Sequence, residues 1–187
     1  MIRPETPFWW EREDLGYKNN QLHFVNHSVQ KLAYQLGTPG FIYSTARVEA
    51  NLLRIRNALD SAGFVNNSSI YYAMKANRFA PLLRHIKQTG LCGIDACSPE
   101  EVKLAISCGF KPSEISFTAS SLSENDFSEL ARYEDLFVDC DSLYAIRKWG
   151  ELKPGAEIGI RINPAIGIGR ASNEKLLYAG GKTTGSA

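Results

Sequence analysis

The sequence has no dominant sign of charge. Its 187 residues carry 21 Lys and Arg against 20 Asp and Glu, a net charge of +1. Without a surplus of cations there is no face to neutralise a phosphate backbone, so no nucleic-acid partner is expected. The chain also lacks any run of about 18 apolar residues, which excludes an ordinary membrane-spanning helix. Residues 1–7 lack the apolar stretch of a signal peptide. No membrane partner and a cytoplasmic location are therefore expected. The four cysteines, Cys92, Cys97, Cys108 and Cys140, include no C-x2-C pair, so reduced thiols and no metal site are expected. His23, His27 and His85 are scattered singletons, which argues against a catalytic histidine. Two phosphate-loop look-alikes fail as well. Gly180-Gly181-Lys182-Thr183 has Leu176 where a P-loop needs its first glycine, and Gly167-Ile168-Gly169 meets Ser172 in place of a third glycine.

What is present is an ordinary globular composition, 44% hydrophobic and 22% charged, enough to bury a core. An extended N-terminal piece comes first. A short helix is predicted over 29–36, closed by Gly37, then a strand over 41–43 and an amphipathic helix over 46–62 closed by Gly63. From there the pattern is periodic. Strands are predicted at 70–74, 92–96, 115–118, 136–138 and 157–162, with helices at 81–89, 99–108, 124–133 and 142–149 between them. Ser98-Pro99-Glu100-Glu101 and Ser123-Glu124-Asn125-Asp126 carry the Ser and acidic spacing that caps a helix start. Strand units about 20 to 25 residues apart predict an α/β fold, a parallel β/α barrel of TIM type. Such a barrel needs eight strands and about 250 residues. About five of the eight units are present, so the chain alone is expected to be incomplete and inactive as a catalyst. The aromatic cluster Phe8-Trp9-Trp10 reads as a plug at a domain junction or subunit contact. The glycine-rich segment 167–187 reads as a loop or mobile tail.

Ile70-Tyr71-Tyr72-Ala73-Met74-Lys75-Ala76-Asn77 is an apolar strand-like run that ends in a single amine. A lone lysine there is usually a solvated strand tip. The end of a barrel strand is also where an enzyme places a Schiff-base nucleophile. The run from Tyr72 to Asn77 resembles the lysine motif of the diaminopimelate, ornithine and arginine decarboxylase family, pyridoxal-phosphate enzymes with alanine-racemase-like barrels of fold type III. Further blocks resemble that family in order: Leu15-Gly16-Tyr17, Gly37-Thr38-Pro39, Gly93-Ile94-Asp95-Ala96-Cys97-Ser98 with Glu101, and Arg161-Ile162-Asn163-Pro164.

The resemblance implies pyridoxal 5'-phosphate as cofactor, an amino-acid substrate and a homodimer in the complete protein. It implies that Lys75 is the catalytic residue that holds the cofactor as a Schiff base, buried enough at its strand end to be neutral and nucleophilic. Asp95 and Arg161 are implied as cofactor-binding residues: the first orients Lys75 and stabilises its protonated imine, the second places a fixed positive charge near the ring. Glu101 also matches a family position, although a first-turn glutamate is already explained as a cap. On this basis residues 1–45 are an N-terminal extension and strand of the family's second domain, and 46–166 are a partial cofactor-binding barrel.

Diaminopimelate decarboxylase of lysine biosynthesis is the type most resembled. Thr118-Ala119-Ser120-Ser121 departs from it, where those enzymes more usually show Gly followed by Asn and Lys. An amino-acid racemase of the same barrel class is an alternative, but its Tyr-Gly-His-Gly run is replaced by Arg78-Phe79-Ala80-Pro81. A non-catalytic decarboxylase-like binding protein is a second alternative, against which the retention of Lys75 weighs.

Overall fold

The structure, a computed structural model, describes residues 11–162. Phe8-Trp9-Trp10, Asn163-Pro164 and segment 167–187 lie outside the described residues. Contacts divide the chain into two units, residues 1–62 and 63–187.

The N-terminal piece is a meander. β1 (Leu15–Lys18), β2 (Gln21–Phe24) and β3 (His27–Ser28) form an antiparallel sheet in that order. Pairing of Lys18 with Gln21 leaves Asn19 and Asn20 as a two-residue turn, with φ of 50° and 60°. Asparagine tolerates that left-handed geometry, and such turns match the twist of a hairpin. α1 (Val29–Leu36) and α2 (Thr45–Ser61) follow. The Ser44 hydroxyl accepts the Arg47 N–H at 3.2 Å and starts α2. The strand expected over 41–43 does not form. Those residues pair with no strand, and Phe41 is 88% exposed. Apolar residues favour a pleated surface, but a strand exists only where a neighbour completes its hydrogen bonds.

The second unit runs β4 (Tyr71–Ala73), α3 (Ala80–Thr89), β5 (Gly93–Ala96), α4 (Pro99–Ser107), β6 (Ile115–Thr118), α5 (Glu124–Leu130), β7 (Phe137–Cys140), α6 (Leu143–Leu152) and β8 (Ile158–Ile160). The strands pair in parallel in the order β4-β5-β6-β7-β8. A doubly wound sheet would reverse direction partway. Here every crossover steps the same way, and with right-handed crossovers that puts all the helices on one side of the sheet. Such winding is the architecture of a barrel segment, five strands of it within the described residues.

Alternation along each strand separates the two faces. Ile94, Ala96, Ile115, Phe117, Val138 and Cys140 are all at most 1% exposed. They lie on the helical side with Leu83, Phe127 and Trp149, which are equally shut from water. Each large side chain buried this way contributes about 1.5–3 kcal/mol. The other parity, Asp95, Ser116, Thr118 and Asp139, makes the helix-free face, and all four are only half-buried.

Serine caps open three of the helices. Ser98, Ser123 and Ser142 each accept an N–H three residues on, at 3.2 Å. Gly90, at φ 65°, turns the chain out of α3. Several boundaries differ from expectation; α6 runs on to Leu152 and β8 is confined to Ile158–Ile160. α5 stops at Leu130 because Arg132 and Tyr133 close back onto Glu129 and Leu130 in tighter turns. β7 continues past Val138 to Cys140, since Asp139 points away from the core and leaves the apolar alternation intact.

Candidate active site

In parallel β/α barrels the chemistry gathers beyond the C-terminal ends of the strands. At that end of β4 the chain enters a 3-10 turn, Met74–Ala76. Met74 is fully buried and anchors the turn. The Asn77 N–H donates to Met74 O at 3.1 Å, and Asn77 Oδ1 accepts the Phe79 N–H at 2.9 Å. The Tyr72 hydroxyl donates to Asn77 O at 3.4 Å. The turn thus displays Lys75, which is exposed. The burial expected for this amine is not found. Met74 takes the inward position, and the next side chain emerges above the sheet with no described residue covering it.

Asp95 sits on the neighbouring strand, in register with Ala73, and is half-buried. Its carboxyl is held above the ordinary carboxylate range, first because burial penalises the charge. Lys75 and Arg161 oppose that shift, while Asp139 and Glu101 add to it. Arg161 follows β8 directly. Its backbone N–H donates to Cys140 O at 2.8 Å, which carries the β7–β8 pairing one residue further, and its side chain is exposed. The structure therefore brings Lys75, Asp95 and Arg161 into one electrostatic neighbourhood at one end of the sheet.

Glu101 does more than cap. Ser98 Oγ takes the Glu101 N–H, but the Glu101 carboxylate reaches beyond Ser98 to accept the Cys97 N–H at 2.7 Å and Arg78 Nε at 2.5 Å. The glutamate is only 3% exposed. It therefore ties the end of β5 and the start of α4 to the segment just after Lys75. Cys97, beside Asp95 and Glu101, has its thiol pushed up by burial first and by those two carboxylates next. It stays protonated and unreactive at neutral pH.

Sequence reasoning missed Asp139 and Gly159, which lie with Thr118 on the same face. The Thr118 hydroxyl donates to Asp139 Oδ2 at 2.6 Å. A β-carbon on Gly159 would collide with Asp139 Oδ1. The signal was the alternation Val138-Asp139-Cys140, obscured when the strand was ended at Val138. Within the first unit, a cavity of about 300 Å³ is lined by residues such as Ser28, Lys31 and Tyr34 and includes none of these side chains.

An accessible amine, an adjacent carboxylate able to hold a proton and a second fixed cation suit an anionic aldehyde. Pyridoxal phosphate is such a group, and the residues present fit it. Among the described residues no His, Cys, Asp and Glu cluster could hold a metal ion, and no helix is long and apolar enough to cross a membrane.

Comparison with known proteins agrees with this chemistry. The diaminopimelate decarboxylase of Thermoplasma acidophilum is 32% identical over 160 residues, covering 86% of this chain and 36% of that protein. That of Methanothermobacter thermautotrophicus is 30% identical over 140 residues, covering 74% and 32%. The solved structure of diaminopimelate decarboxylase from Helicobacter pylori complexed with L-lysine superimposes with a TM-score of 0.64 at 25% identity, covering 73% of this chain and 35% of that one. The chain thus spans about a third of the length of the curated relatives it matches. Residues 45–182 match the family described as "Pyridoxal-dependent decarboxylase, pyridoxal binding domain", and the chain belongs to that family.

Proposed function

We propose that Lys75 carries pyridoxal 5'-phosphate and that the chain is the N-terminal portion of an amino-acid decarboxylase acting on diaminopimelate. The observation that carries this reading is the Lys75 amine, exposed at the end of β4, next to the strand of Asp95, whose carboxyl feels the charges of both Lys75 and Arg161. The bound cofactor supplies an electron sink for the pair released when carbon dioxide leaves. The chain's own residues do the rest. The Lys75 amine would hold the cofactor through its aldehyde. The Asp95 carboxyl, on the neighbouring strand, would hold or release a proton beside that amine. The Arg161 guanidinium, always charged, favours negative charge on the cofactor side of the cluster. Glu101 and Arg78 hold the Lys75 turn in place.

Diaminopimelate as substrate is supported by the names of the relatives above. The reading extends to a homodimer in the cytoplasm, and to residues 1–45 as part of a second domain beside the partial barrel 46–166. The family resemblance supports those parts.

Trapping tests the core of the reading. Incubation with pyridoxal phosphate, borohydride reduction and peptide mapping should label the peptide that contains Lys75. Labelling confined to Lys103 or another surface lysine would sink it. Carbon dioxide release by the complete protein from meso-diaminopimelate, compared with ornithine, lysine and arginine, tests the substrate.

A further inference from the structure

Asp139 lies on β7, two strands from Asp95, and takes no part in the reading above. The alternation that buries Val138 and Cys140 at 1% exposure each turns Asp139 to the helix-free face. In register, Thr118, Asp139 and Gly159 form one row across β6, β7 and β8. The Thr118 hydroxyl donates to Asp139 Oδ2 at 2.6 Å from one side. From the other, the bare backbone of Gly159 makes room for Oδ1, where any larger residue would collide with it. A solvated surface aspartate needs neither a donor nor a notch. This carboxylate is fixed by both.

We propose that Asp139 is a positioning residue of this site, acting through Asp95: its clamped carboxylate sets a second negative charge on the face that displays Lys75. The proposal rests on reading the Lys75 cluster as the cofactor site. Every charged neighbour of Asp95 enters the balance. Lys75 from the 3-10 turn and Arg161 from the end of β8 favour its ionised form. Burial, Asp139 from β7 and Glu101 from α4 favour its protonated form. The Cys97 thiol beside it is neutral. Asp139 therefore keeps the Asp95 proton easier to retain and to exchange with an amine at Lys75, as a group that serves as both acid and base requires.

The test is a carbon-13 NMR titration of the Asp95 carboxyl in the chain without cofactor. Asp139→Asn keeps the shape and removes the charge, and should lower the Asp95 midpoint by roughly 0.3 to 1 unit. Asp135→Asn removes the same charge from an exposed position at the opposite end of β7, and should move the midpoint by no more than about 0.1 unit. An unchanged midpoint in Asp139→Asn, or equal shifts in both variants, overturns the proposal. If Asp139→Asn fails to fold, Thr118→Val decides. It frees the carboxylate while leaving the charge, so a smaller downward shift is expected and no shift refutes the clamp. No cofactor enters this measurement. Failure to trap pyridoxal phosphate on Lys75 would thus refute the proposed function while leaving the Asp95 titration as it is.

Discussion

Glu101 carries two bonds of unequal worth, and substitutions separate them. The first is the Cys97 N–H, 2.7 Å from Oε2, made by a carboxylate only 3% exposed. A hydrogen bond to a charged acceptor in such a place is worth about 1.5–3 kcal/mol. The second is Arg78, whose side chain is 59% exposed, so water and salt screen the pair to about 0–1 kcal/mol. Glu101→Ala loses both, along with packed side-chain volume, and should destabilise the chain by about 2–4 kcal/mol. Glu101→Gln keeps an acceptor for Cys97 and should cost about 1 kcal/mol. Arg78→Ala should cost about 1 kcal/mol or less, because water can enter where the guanidinium leaves. The competing account treats Arg78 and Glu101 as a buried ion pair. Removing Arg78 would then strand a buried charge at a cost of about 3–5 kcal/mol. Urea titrations of the three variants, with slopes matching the parent, decide between the accounts. Arg78→Ala costing as much as Glu101→Ala would refute the ranking.

Two further expectations concern the second unit. The Asp95 carboxyl holds its proton above the usual range, chiefly through burial. Between its unfolded value of about 4 and that raised folded value, the folded state binds more protons and stability falls as pH rises. Asp95→Asn should remove that fall, so the variant gains on the parent from acid to neutral pH, and chemical denaturation showing the opposite slope would refute the sign. Trp149 is 2% exposed, and its indole N–H finds no acceptor among the described residues. Trp149→Ala should cost about 3–5 kcal/mol, whereas Trp149→Phe, which also removes the orphaned donor, should cost less than about 1.5 kcal/mol by thermal unfolding.

The β/α period of the second unit was legible because local signals and tertiary demand coincide there. Serine caps at Ser98 and Ser123 open helices on the helical face, and apolar runs such as Ile115 to Thr118 become strands with the expected bounds. The N-terminal meander was harder. Its strands span only two to four residues, too short for alternation to register, and the hairpin signal was the pair Asn19-Asn20. Residues 41–43 have strand-like composition but join no sheet, and composition cannot report whether a neighbouring strand is in place. At the site, Lys75 was legible as an amine terminating an apolar run. Its exposure was not, because sequence places a residue along a strand without saying what covers the strand's end. Asp139 stayed hidden because a polar residue inside a short strand reads as the end of that strand, and the glycine that accommodates it is 20 positions away.

The alternation that divides the sheet into two faces also governs which changes of chain length this unit can tolerate. Odd and even positions of each strand serve different purposes, and they are interleaved like two messages sharing one line of text. Inserting a single residue within β5 or β7 would exchange the messages, sending Asp95 or Asp139 into the apolar layer and Ile94 or Val138 out to the chemistry. A substitution damages one letter, but such an insertion scrambles both texts at once. A change of length should therefore be tolerated best at the joints, such as residues 119–122 between β6 and α5, where no alternation has to be kept.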